Sequence, residues 1–171
     1  MYEPSITIDI ALEAMRQFLL IVNPGASIVR GQVNRVAMPT LPVIVMTELM
    51  QMDLCRPYIT QVNETANKIT TPSRLDVQLD FYGFATSEYA QTIRATIMSG
   101  WAYDVFPNYV KPMFCSEIIQ SAFETGAEQT VNNWQCTISL QYNPVTTVPI
   151  ETAGGAIATV HPYVDNPLNY A

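Results

Sequence analysis

The hydrophobic pattern along the chain changes period several times, and each change marks an element. From Thr7 to Val22, Ile8, Leu12, Met15 and Leu19 recur at helical spacing while Asp9, Glu13, Arg16 and Gln17 occupy other faces, which predicts an amphipathic helix. Asn23-Pro24-Gly25 stops it, because proline cannot extend a helix and glycine tolerates the reversal. Leu20, Ile21 and Val22 widen the apolar face, so the C-terminal end of this helix is expected to be the more deeply buried. Ser27–Met38 reads as a bent strand or hairpin limb interrupted by Gly31 and Asn34. Val43–Leu54 is a longer strand candidate with apolar residues on both faces, which suggests a central position or a face covered by a helix. Tyr58–Thr71, rich in Thr, Asn and Gln, fits a wet strand, a long loop or one limb of a hairpin.

From Leu75 the alternation is strict. Leu75, Val77, Leu79 and Phe81 interleave with Asp76, Gln78, Asp80 and Tyr82, giving one buried and one polar face. Thr86 or Ser87 is expected to cap a second helix reaching about Ser99, with Tyr89, Ile93 and Ile97 one turn apart and Gly100 at its end. Trp101, Tyr103, Phe106 and Tyr109, broken by Pro107 and Pro112, predict a packed aromatic loop. Short strands are expected at Met113–Ile119 and Ser121–Glu124, with a turn around Gly126. Trp134, Cys136, Ile138, Leu140 and Tyr142 then alternate with polar residues until Asn143-Pro144.

The elements predict an α+β domain over residues 1–149, with a mostly antiparallel sheet of about five or six strands flanked by two helices. After Pro149 the pattern is lost. Ala153-Gly154-Gly155-Ala156 is followed by scattered Ile157, Val160, Tyr163, Val164, Leu168 and Tyr170, more apolar than a solvated tail. Residues 150–171 are therefore expected to be an extended C-terminal arm, with those six residues as candidate contacts to a neighbouring subunit. A segment wrapped on its own domain fits the composition equally.

Composition sharpens this picture. Hydrophobic residues are 49% of the chain and charged residues 13%, against about 25% charged in an average soluble domain. Few ionic groups point to a surface that partners cover. No apolar run approaches the ~20 residues of a membrane-spanning helix. Glu3, Asp9 and Glu13 stand where a signal peptide carries basic charge, so synthesis in the cytoplasm is expected. A formal charge of -7 argues against gripping a phosphate backbone, which needs clustered cations.

Candidate chemistry is sparse. Cys55, Cys115 and Cys136 form no CxxC pair, and the one histidine, His161, lies far from them; neither a zinc site nor a disulfide framework is expected. Cys136 falls on the apolar side of a strand and reads as an inert buried thiol. Asp76 and Asp80 share a strand face, where the bland reading is a solvated polar surface rather than an acid–base pair. No GxSxG, Walker or dinucleotide loop occurs, so no cofactor and no turnover are expected. Arg30 and Arg35, around Gly31, are candidates for a subunit or intradomain salt bridge.

Three segments carry a family resemblance: Val29-Arg30-Gly31-Gln32 with Asn34-Arg35-Val36 and Met38-Pro39; Gln78-Leu79-Asp80-Phe81-Tyr82-Gly83; and Leu140-Gln141-Tyr142-Asn143-Pro144-Val145 leading to Val148-Pro149. In order and spacing they resemble the neck or tail-terminator proteins of long-tailed, contractile phages. The resemblance implies a non-enzymatic virion subunit. It would form a six-fold homo-oligomeric ring that closes the tail tube, contacts tube or sheath, joins the head-side connector, and lets genomic DNA pass without specific binding. The competing readings are another head–tail adaptor or tube protein and, in a different class, a small hydrolase or ligand-binding protein built on the aromatic cluster.

Overall fold

The computed structural model describes residues 4–31, 41–63, 66–124 and 130–149. Helix α1 runs Ile8–Val22, and the Thr7 hydroxyl accepts the Ile10 N–H as its N-cap. Strand β1, Ser27–Arg30, follows, then β2 (Val43–Asp53), the hairpin β3 (Tyr58–Asn63) and β4 (Ala66–Thr70), and β5 (Ser73–Tyr82). Helices α2 (Thr86–Met98) and α3 (Trp101–Val105) come next, followed by β6 (Val110–Cys115), β7 (Ile119–Glu124), β8 (Thr130–Tyr142) and β9 (Val145–Pro149).

The architecture is α+β. A six-stranded sheet has the order β1-β2-β5-β8-β6, with β7 also paired to β8, and β3-β4-β9 form a second, three-stranded sheet. Pairing is antiparallel throughout except for β1 against β2. Both sheets share one ladder. Pairs run without a register shift from Ala66↔Pro149 to Thr70↔Val145 and resume at Ser73↔Tyr142 through to Tyr82↔Asn133. Pro72 and Pro144 interrupt it, since neither can donate to a ladder, and the Thr71 N–H bonds to the Pro144 carbonyl across the gap at 3.0 Å. The small sheet is thus the far end of the large one, kinked at two prolines.

Period-two alternation builds the core. Leu75, Val77, Leu79 and Phe81 on β5, with Cys136, Ile138, Leu140 and Tyr142 on β8, are buried and face the helix layer. Ala11, Leu12, Met15, Phe18 and Leu19 of α1 and Ala90, Ile93 and Ile97 of α2 complete the same cluster. Burial of each Val, Leu, Ile, Met or Phe side chain among them is worth about 1.5–3 kcal/mol.

Several expectations change. Strand β1 ends at Arg30, with residues 32–40 outside the described set. The widened apolar face at the end of α1 is only partly buried: Phe18 and Leu19 are buried, Leu20 and Val22 are half-buried, and Ile21 is 58% exposed. Helix α2 begins after Ala85, which is left-handed (φ +55°) and makes no side-chain cap; neither Thr86 nor Ser87 caps it. The aromatic segment contains a third helix, with Phe106 packed on Phe18 at 4.8 Å between ring centres while Trp101, Tyr103 and Tyr109 stay about half exposed. Of the readings open for Tyr58–Thr71, the β3–β4 hairpin is the one formed; β8 ends at Tyr142, before Asn143-Pro144 as expected, and a separate strand, β9, follows.

Candidate subunit interfaces

Arg30 closes β1 beside the start of α1. Its guanidinium donates to Asp9 Oδ1 at 2.5 Å and to Glu48 Oε1 of β2, and the hydrogen bond to Asp9 is the largest cause holding its pKa above the ordinary value. Helix and sheet are tied there by an ion pair within the domain, and the Arg30 side chain keeps 46% of its surface exposed. Arg35 and the arm residues Ile157, Val160, Tyr163, Val164, Leu168 and Tyr170 lie outside the described residues, as does His161.

The helix-free face of the sheet is polar but not solvated at its centre. Asp76 and Asp80 are 6% and 8% exposed. Arg74 clamps Asp76 with two bonds at 2.7 and 2.9 Å, and Ser139 donates to the same carboxylate at 2.7 Å. Gln78 Nε2 donates to both oxygens of Asp80, and Asn133 adds a longer contact at 3.4 Å. The sequence expectation of a solvated row is corrected: side chains of β5 and β8 cover one another, and each carboxylate is spent on hydrogen bonds rather than held free for proton transfer.

Cys115 and Cys136 are buried free thiols, as expected for Cys136, and Cys55 is exposed. A hydrogen bond shared with Cys115, together with burial, pushes the Cys136 thiol up, away from reactivity. Among the described residues no three His, Cys, Asp or Glu side chains converge as metal ligands, and no helix is long and apolar enough to cross a membrane. Beside the aromatic segment, a groove of about 230 Å³ between α1 and the α3–β6 connection is lined by one carboxylate, Glu13, which is bonded to Arg16 and Gln17. This is apolar contact surface without a converging set of reactive groups.

One run of exposed apolar residues follows the second half of β2 into the start of β3. Beyond the bulge between Glu48 and Met50, Leu49, Met50, Met52, Leu54, Tyr58 and Ile59 are 41–66% exposed. Among the described residues β1 pairs with β2 only as far as Met46, and β3 is an outer strand of the small sheet. An edge carrying this much apolar surface is a candidate subunit interface. Strand β2 does lie between β1 and β5, with Val43, Ile44 and Met46 buried as expected; the exposure of its second half was not anticipated from the apolar residues on both faces of Val43–Leu54.

The fold and its surfaces define a charge-poor α+β assembly subunit. Over residues 10–164 the chain matches the family of the phage neck terminator protein, and it belongs to that family. No curated protein matches it. The chain is therefore a structural component of the phage virion neck.

Proposed function

We propose that copies of this chain close into a six-fold ring that terminates the tail tube. The ring contacts tube or sheath on one side and the head-side connector on the other, and leaves an axial passage for DNA. Family membership over residues 10–164 carries this reading. The exposed apolar edge from Leu49 to Ile59 supports it, because a ring subunit must bury two different surfaces against identical neighbours. A net charge of -7 suits a wall that DNA passes without sticking. Turnover and cofactors play no part.

Residues 1–149 form the terminator domain in this proposal, and 150–171 form an arm laid on a neighbour through Ile157, Val160, Tyr163, Val164, Leu168 and Tyr170. Arg30, with its remaining exposed surface, and Arg35 lie at the subunit boundary. Mass measurement and electron microscopy of the chain mixed with its tail tubes test the reading. Closed rings on tube ends are expected. A chain that stays solitary with tubes and connectors present overturns it, and open stacks assign a tube protomer instead. Removal of residues 150–171 is expected to abolish particle assembly; intact assembly without them removes the arm.

A further inference from the structure

The cleft at the start of α1 is lined by charge. Its volume of about 460 Å³ falls inside the ~300–1,000 Å³ of small-molecule sites. Asp9, Arg30, Glu48, Gln51 and Tyr142 line it, with Ile6 and Ile8 as apolar wall. Strand register builds the far side. Asp53 and Tyr142 are the two partners of Ser73, one on β2 and one on β8, so all three share a face, and Ser73 donates to Asp53 Oδ1 at 3.3 Å. Glu48, opposite Val77, lies on that same face farther along β2.

Tyr142 is the unsatisfied member of this set. The residue is 2% exposed, yet no hydrogen bond joins its hydroxyl to another described residue. A buried phenol ordinarily has a partner, so the hydroxyl marks a place for a ligand. The groups that attract anions are already occupied. Arg30 is shared between Asp9 Oδ1 and Glu48 Oε1, and Thr7 caps the N-terminus of α1. Two lining carboxylates, Asp9 and Glu48, against one guanidinium leave a negative charge in excess, and Glu48 Oε2 is spare. Burial, and then the Asp53 and Glu48 carboxylates, raise the Tyr142 pKa, so the potential at the hydroxyl is negative. A cation is stabilised there and an anion repelled.

We propose that this cleft binds an ammonium or guanidinium group carried on a short alkyl stem. Its N–H groups donate to Tyr142 Oη and Glu48 Oε2, and the stem lies on Ile6 and Ile8. A guanidinium offers five donors and an ammonium three, enough for both acceptors without displacing Arg30. Two sources share this chemistry, a free polyamine and a Lys or Arg side chain of an adjoining subunit. The inference goes beyond the ring reading, because the site belongs to a single chain whether or not rings form.

Calorimetric titration of the full chain at low salt with butylguanidinium tests it, beside the uncharged isostere butylurea and inorganic phosphate. Saturable binding of butylguanidinium alone is expected, weakening as salt rises. Glu48→Gln is expected to weaken it about 10-fold or more and Tyr142→Phe about 3- to 10-fold. Glu88→Gln on α2 removes the same charge outside the cleft and should leave binding unchanged. Both cleft replacements keep the side-chain shape, and thermal melts without ligand verify that each variant is folded. No binding of butylguanidinium, equal binding of butylurea, phosphate bound in its place, or cleft variants that bind as the wild type does each overturn the proposal. Repeating the titration on rings assembled on tail tubes separates the two sources. A cleft filled by a neighbouring subunit's side chain no longer takes the probe, and one that serves a free amine still does.

Discussion

The Ser139 hydroxyl donates to Asp76 Oδ1 at 2.7 Å and so joins β8 to β5 on the face without helices. With the two bonds from Arg74 it makes a three-bond cradle for a carboxylate that is 6% exposed. Removing the acid leaves a guanidinium and a hydroxyl without their partner. Asp76→Ala is expected to destabilise the domain by about 2–4 kcal/mol and Ser139→Ala by about 1 kcal/mol. Urea unfolding midpoints measure both, and a loss below 1 kcal/mol for Asp76→Ala refutes the cradle.

Gly83 tolerates no side chain. Its φ of +114° and the approach of Pro42 and Leu41 together predict that Gly83→Ala costs about 2–4 kcal/mol, through strain and overpacking. Thermal denaturation should show the melting temperature falling by several degrees. Ala85→Gly, at φ +55°, is expected to be neutral or mildly stabilising.

Thiol reactivity should split one to two. Cys55 is exposed, while Cys115 and Cys136 are buried. Ellman's reagent is expected to modify one thiol promptly in the native protein and the other two only on unfolding. Three thiols reacting at one rate would show that the sheet does not shield the pair.

Alkaline pH should destabilise the chain through its tyrosines. Tyr142 is 2% exposed, and burial, followed by the nearby Asp53 and Glu48 carboxylates, raises its pKa above the ordinary 10.0. Burial and then Asp80 raise Tyr82 similarly. A raised folded pKa means that the stabilisation is complete below about pH 10 and is lost as pH climbs through the folded value. Phenolate absorbance should show a late-titrating fraction that diminishes in Tyr142→Phe.

Arg30 illustrates a weaker interaction. Its side chain is 46% exposed in the pairs with Asp9 and Glu48, so Arg30→Ala should cost no more than about 1 kcal/mol, less at high salt. Unfolding at two ionic strengths measures this.

Local periodicity was enough to locate α1, α2, β5 and β8, because amphipathic spacing is written in neighbouring residues and the buried members were Leu12, Met15, Ile93, Val77 and Ile138, as the pattern required. The resemblance to neck terminators was also legible in one dimension. Other facts depend on residues far apart in the chain. Alternation shows that Asp76 shares a face with Asp80, but only the pairing of β5 with β8 places Ser139 over Asp76 and buries it. Apolar residues on both sides of β2 mean a central strand or an exposed edge, and the extent of β1 decides between them. The cleft that Tyr142 shares with Glu48 carries no periodic signal, since a cleft is a shape, and shape exists only once long-range packing has set the backbone.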